Sequence, residues 1–294
     1  MSFREDRFLA LSGGDLENKS SDDLKKLYQK VLSEGMHGLC FSPYEEGQEP
    51  GDQLTEKQVR RRLEIIRPYT QWVRSFSTTE GNELIPKIAK ELGMNTLVGA
   101  WLGDNDEINQ TEVANLIHLA NSGYVDIAAV GNEVMYRGDL SEEELIVFIK
   151  KAKNEINGVP VGYVDAYYEF EARPDITAIC DVLLTNCYPF WEGCAQEYSL
   201  LYMKDMYRRA VRAAKGKRVI ITETGWPDQG SNLYGAFPSE DNAMRYFINA
   251  QLWSKEEGIE MFYFSSFDES WKVGKEGDVG AYWGIWNKEE QLKF

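Results

Sequence analysis

"VIITETGWPDQG", residues 219–230, is the stretch on which the fold is decided. Four apolar or β-branched residues open it, and Gly225, Trp226 and Pro227 end the extended run at once. An apolar run without polar alternation predicts a strand covered on both faces, the condition of a parallel sheet with helices packed outside it. Glu223 stands where that strand stops, and a lone carboxylate at the end of an apolar interior requires a chemical reason.

Working outward, seven more runs of the same kind appear: "HGLCFS" (37–42), "WVRSFS" (72–77), "NTLVGAWLG" (95–103), "VDIAAVGNE" (125–133), "VPVGYVDAYY" (159–168), "CDVLLTNCYPF" (180–190) and "EMFYFSSFDES" (260–270), with the opening stretch extended to 218–226. Between them lie segments whose apolar residues recur every three or four, such as "TEKQVRRRLEIIRPY", "SEEELIVFIKKAKNEI" and "SEDNAMRYFINAQLWSKEEG". Ser141 and Ser239 are placed to cap the last two. Eight strand–helix units share 294 residues, about 37 each, which suits a (β/α)8 barrel of the α/β class. The expectation is a single domain over 1–294, with 1–36 as a lead-in and first helix and 37–294 as the barrel core. A doubly wound open sheet is the main competitor, but its usual G-x-G-x-x-G after the first strand is missing, and no Pro/Gly/Ser-rich linker divides the chain.

Acidic residues outnumber basic ones by 48 to 32, a balance that disfavours nucleic acid or an anionic membrane as partner and suits a neutral substrate. The 8 Trp and 16 Tyr exceed what a core of this size needs, and such rings often line sites for sugars. No run of 18 apolar residues occurs, and the start "MSFREDRFLALSGGD" is charged where a signal peptide is apolar. The chain as written is expected to be soluble, hence cytoplasmic, or exported if a signal has been removed. It is expected to act as a monomer without a cofactor. Cys40, Cys180, Cys187 and Cys194 form no CxxC pair, and with only His37 and His118 beside them they read as buried thiols rather than zinc ligands. N-x-S/T sequons occur at Asn18 and Asn109.

In a barrel the reactive groups sit where strands end and the following loops begin. The fourth run ends in Asn132 and Glu133, the seventh in Glu223, the eighth in Asp268 and Glu269. Four acids on one rim repel one another and lose solvent, so such a group points to metal binding or to acid/base work. "GDNDEI" fails as a calcium loop because Ile108 falls where a ligand is required, and the histidines are too few and too far apart for a zinc hydrolase, so no metal is expected. No G-x-S-x-G elbow or phosphate-binding loop is present. A pair of glutamates facing each other across a pocket is what cleavage of a glycosidic bond needs, the second carboxylate attacking carbon or activating water according to their separation.

"AVGNEV", "NCYPF", "ITETGWP", "FDESWK" and "GAYWGIWNKEEQLKF" together resemble family 17 of the glycoside hydrolases, the β-1,3-glucanases and β-1,3-glucanosyltransferases; "GLCFSPYEEGQEP" and "VRSFSTTEG" resemble its bacterial and fungal branch. The likeness runs in order from about residue 37 to the C-terminus. It implies a retaining barrel enzyme acting on β-1,3-glucan of the laminarin type through a covalent glycosyl-enzyme, with Glu133 as general acid/base and Glu223 as nucleophile. Arg74 and Tyr188 are then expected to hold Glu223 ionised, while burial and the charge of Glu223 raise the pKa of Glu133. Asn132 would hold the sugar 2-hydroxyl, Asn186, Tyr188, Glu269 and Lys272 would line the cleft, and Trp226, Trp271 and Tyr44 would stack on glucose faces. Tyr167, Tyr168, Phe190 and Trp191 are placed for acceptor subsites. Phe76 departs from the tyrosine common in the family, and "SWK" from the "NWK" of plant members. A glucanosyltransferase using the same double displacement is the alternative, and a non-catalytic glucan-binding barrel a second, one that would have no need of both glutamates.

Overall fold

Eight parallel strands pair in the order β7-β6-β5-β4-β3-β2-β1-β8 in the computed structural model of the protein, which describes residues 16–294. They are β1 Met36–Cys40, β2 Thr70–Ser75, β3 Asn95–Ala100, β4 Ile127–Asn132, β5 Val161–Ala166, β6 Val182–Asn186, β7 Arg218–Glu223 and β8 Phe262–Tyr263. The open edge between β7 and β8 is sealed by a parallel bridge from Ile221 to Met261 and by amide hydrogen bonds from Ile221 to Glu260 (3.0 Å) and from Phe264 to Thr224 (2.7 Å). The sheet is therefore a closed barrel, and the doubly wound alternative falls away. The first fifteen residues of the lead-in lie outside the described part; helix α1, Ser21–Ser33, completes it ahead of β1.

Around the barrel run α2 Glu56–Ile66, α3 Leu84–Glu91, α4 Asp106–Asn121, the single turn α5 Val134–Arg137, α6 Glu142–Glu155, the short α7 Tyr167–Ala172 and α8 Pro174–Ile179, α9 Gln196–Ala214 and α10 Glu240–Glu257. Among the described residues no helix is long and apolar enough to cross a membrane. Ser141 and Ser239 cap α6 and α10 as their position predicts, accepting from the amides of Glu144 and Asn242. The strands are buried almost throughout, which explains their lack of alternation.

The eighth run is an exception, since its regular ladder spans two residues. Beyond Tyr263 the backbone turns to the C-terminal segment: Ser265 exchanges hydrogen bonds with Trp283 (2.9 Å) and Ile285 (3.0 Å), and the Trp286 amide donates to Ser266 (2.9 Å). Residues 283–286 thus take over pairing that a longer β8 would use. Gly225 makes the approach of β7 to this region possible, for any Cβ there would collide with the Phe264 carbonyl.

Cys40, Cys180 and Cys187 are buried free thiols and Cys194 is half-buried. "GDNDEI" enters α4 with Asn105 as its cap, the side chain accepting from Ile108. Asn109 is buried, its amide bonded to both N–H (2.8 Å) and carbonyl (2.7 Å) of Gly103, so that sequon is closed to modification in the folded chain.

Candidate active site

Glu223 ends β7 with its carboxylate held on both oxygens. Arg74 from β2 donates to Oε1 at 2.6 Å, Asn186 from β6 to the same oxygen at 3.1 Å, and the Tyr188 hydroxyl to Oε2 at 2.7 Å. Burial works most strongly against the charge of Arg74, but Glu223 and Cys40 together outweigh it, so the guanidinium stays protonated. The Tyr188 phenol is pushed far up by burial and by the charge of Glu223, which keeps it a donor. These three donors hold the carboxylate in one orientation. The other Arg74 nitrogen donates to Asn132 Oδ1 at 2.7 Å, turning the Asn132 amide so that its N–H groups are free for a ligand.

Glu133 follows β4 in the left-handed conformation, φ 53° and ψ 31°, where few residues other than glycine settle. Its amide is tied to the Val164 carbonyl at 2.8 Å. Asn186 Nδ2 donates to Glu133 Oε1 at 2.8 Å as well as to Glu223, and the Thr222 hydroxyl donates to Asn186 Oδ1 at 2.9 Å, which settles which way that amide faces. One nitrogen touching both carboxylates keeps their nearer oxygens within about 6 Å of each other, so the two groups face one sugar-sized gap. Burial, followed by the charge of Glu223, raises the Glu133 pKa to about 7, with the Asn186 donor acting in the opposite sense. This is the direction and the cause expected from the sequence.

Glu269, Trp271 and Lys272 form an adjoining cluster, Lys272 donating to Glu269 at 2.8 Å and the Trp271 indole to the same carboxylate at 3.2 Å. Lys272 sits 4.1 Å over the Phe264 ring. Burial opposes its charge, but Glu269, Glu276 and Glu223 prevail and lift its pKa. Tyr44 meets Trp271 edge to face at 5.9 Å. Trp226 does not belong to this set: it is 2% exposed, packed between Phe190 and Tyr246, with its indole donating to the Phe237 carbonyl at 3.1 Å. Its faces are covered by protein, so it is a core residue and no sugar platform. Tyr167 and Phe190 are buried likewise, whereas Trp191 is 39% exposed and Tyr168 half-buried. Asp268 also leaves the rim, turning back to Lys293 at 2.9 Å.

Several residues that complete the site carry no signal in a single sequence. Arg137 from α5 reaches back to the carbonyls of Asn132 and Leu102 (2.8 Å to the latter), lying 4.4 Å over Trp101. Glu112, buried in α4, accepts from the amide and hydroxyl of Thr78 (both 2.8 Å), from Ser77 and Thr79, and from the Trp101 amide (3.2 Å), clamping the loops after β2 and β3. An acid in the middle of an amphipathic helix is ordinarily solvated, so nothing marked this one. Among the described residues no group of three or more His, Cys, Asp or Glu is gathered to hold a metal ion.

The barrel is similar to that of the glycoside hydrolase family 17 β-1,3-glucanosyltransferase from Rhizomucor miehei, at TM-score 0.79 and 28% identity over 89% of this chain and 96% of that one; an active-site mutant of the same enzyme is known in complex with laminaritriose. A glucan 1,3-β-glucosidase of Saccharomyces cerevisiae is 26% identical over 257 residues, 79% of this chain and 82% of that protein. One of Arthroderma benhamiae is 29% identical, over 79% of this chain and 82% of its own. The pattern of the BtgE/BtgC glycoside hydrolase domain covers residues 38–284, from the first strand to the segment that seals the last. With that coverage and two glutamates bridged by one amide at the strand ends, the chain belongs to the BtgE/BtgC glycoside hydrolases, a branch of family 17.

Proposed function

We propose that the protein cleaves β-1,3-glucan with retention of configuration, through a covalent glycosyl-enzyme on Glu223. The observation that carries this is the Asn186 amide in contact with both glutamates, which supports a nucleophile and an acid acting on one anomeric centre. Glu133, protonated near neutral pH, gives its proton to the glycosidic oxygen as that C–O bond breaks and Glu223 forms the new bond to carbon. Formation of the ester removes the charge of Glu223, which is the second cause of the raised Glu133 pKa; that pKa then falls, and Glu133, having given up its proton, stays ionised and can accept one from the incoming hydroxyl. The free N–H groups of Asn132 face the sugar 2-hydroxyl, a contact that tightens as oxocarbenium character develops. The substrate assignment rests on the relatives, which are named for β-1,3-glucan, and an acidic protein suits that neutral polymer.

Glu223→Ala should abolish release of reducing ends from laminarin, and azide should restore transfer as an α-glycosyl azide. Full activity of that variant would overturn the assignment. Incubation of one laminari-oligosaccharide with sizing of the products separates the two fates of the intermediate, since products longer than the substrate mean transfer to sugar and shorter ones alone mean hydrolysis.

A further inference from the structure

Asp165 is a carboxylate that the double displacement leaves without a task. It lies inside the fifth apolar run, on β5, and is fully buried. Its hydrogen-bond partners among the described residues all donate: the Tyr163 hydroxyl, the Ala166 amide at 2.8 Å and the Tyr136 amide at 3.4 Å. Burial pushes the Asp165 carboxyl above its ordinary range, and the donors around it pull the other way, favouring its ionised, accepting form. The Tyr163 oxygen in turn accepts from the Met135 amide at 2.9 Å. The backbone amides of Glu133, Met135 and Tyr136 therefore all end on β5, at Val164, Tyr163 and Asp165 in that order.

That arrangement has a physical need behind it. A non-glycine residue in the left-handed region lies about 1–2 kcal/mol above its relaxed state and persists only where its surroundings over-determine it. Glu133 occupies that region and Gly131, two residues before it, also has positive φ. A Cβ at Gly131 would sit 2.8 Å from the Val134 side chain and 3.3 Å from the Tyr163 ring, so the turn is packed against Tyr163 as well as bonded to it.

We infer that Tyr163 and Asp165 are a positioning pair for the acid/base, pinning the turn that carries Glu133 so that its carboxyl is aimed at the leaving-group oxygen. Neither residue reaches the reacting atoms; both act through the backbone of 133–136. The charged and titratable groups around Glu133 are Glu223 on β7, Asp165 on β5 and Arg137 on α5, with Tyr168 on α7, Tyr188 beyond β6, and Arg74 on β2 acting through Asn132. Of these, Asp165 adds to Glu223 in favouring the protonated Glu133, and Arg137 opposes them.

The test rests on the acid/base role proposed for Glu133 and is built to fail separately from it. Glu133→Gln serves as the control: it should stop turnover of a laminari-oligosaccharide yet still release a burst of dinitrophenolate from a dinitrophenyl β-laminaribioside, whose leaving group needs no proton. If that control loses both activities or neither, the role of Glu133 is wrong. Given that control, Tyr163→Phe and Asp165→Asn should lower kcat on the oligosaccharide by about 10- to 100-fold, a part of what a general acid supplies. KM and the dinitrophenolate burst rate should stay within about threefold, since ground-state binding and the nucleophile are untouched. Asp165→Asn should also move the alkaline limb of kcat/KM to lower pH, because one negative charge near Glu133 has gone. Equal slowing of both substrates, or an unchanged kcat with an unmoved limb, overturns the inference. Tyr163→Phe removes one oxygen and keeps the ring in the core, so the comparison stands even where Asp165→Asn does not fold.

Discussion

Glu133 suits the acid role proposed for it in its protonated form, and it costs the fold most once it ionises. Its carboxyl has a pKa of about 7 in place of 4.5, so the folded chain holds that proton more tightly than the unfolded chain does. Below pH 4.5 both states are protonated and nothing is lost; between 4.5 and 7 stability falls; above 7 the full penalty applies. At 1.36 kcal/mol per unit this is about 3 kcal/mol, or roughly 1–3 after allowing for the solvent that still reaches a half-buried group. Glu133→Gln should therefore unfold a few degrees higher than the parent at pH 8 and no higher at pH 4 in thermal scans, while being inactive on laminarin. The two glutamates were legible in the sequence because an ionisable group ending an apolar strand has few other reasons to exist. The burial of Trp226 was not, because the rings that cover it, Phe190 and Tyr246, come from elements far away in the chain. The left-handed backbone of Glu133 was equally hidden, since it is imposed by β5 rather than by neighbouring residue types.

Single elements are stabilised by contacts of the same cross-chain kind. Helix α8 is six residues long, too short to hold itself, and its end is gathered by Lys217 from the start of β7. The Lys217 ammonium donates to the carbonyls of Thr177 (2.7 Å), Ala178 (2.6 Å) and Cys180 (2.7 Å), where the negative end of the helix favours a cation. Lys217→Met should lower the denaturation midpoint by an amount equivalent to about 1–3 kcal/mol, from the carbonyls left without donors, with kcat and KM unchanged. Helix starts were readable, since a serine ahead of an acidic, periodic segment states its own role, as Ser141 and Ser239 show. Strand ends were read too long, by up to several residues, because the loops that follow are apolar for the sake of the cleft and continue the pattern of the strand. The fifth run is the clearest case: Tyr167 and Tyr168 extend its apolar pattern but begin α7.

The eightfold alternation made the barrel as a whole legible, but not the device that closes it. Lys293 reaches from the last residues of the chain to Asp228 and Asp268, at 2.9 Å each, in a nearly solvent-free site. Burial raises the Asp268 pKa to about 6 even with that cation beside it. Lys293→Met would leave two carboxyl groups facing each other in the interior without their cation, and the loss should be about 3–5 kcal/mol at pH 8, above the Asp268 pKa. At pH 5 Asp268 takes up its proton and the loss should be smaller, so urea unfolding of the variant at the two pH values should show the difference; an equal loss at both would refute the pairing. No spacing rule connects residue 293 with 228 and 268, which explains why sequence patterns alone left this out.

The two-residue ladder of β8 has a consequence for the biosynthesis of the protein. Residues 260–266 bond to both β7 and β1, and residues 283–286 pair with the outer end of that stave through Ser265 and Ser266. Until residues 260–266 have been made, β1 and β7 remain as open edges, and a nascent chain stalled ahead of residue 260 presents them to its neighbours. Barrel closure therefore waits on the eighth strand, and the interval before it is when a holding chaperone would have most to protect.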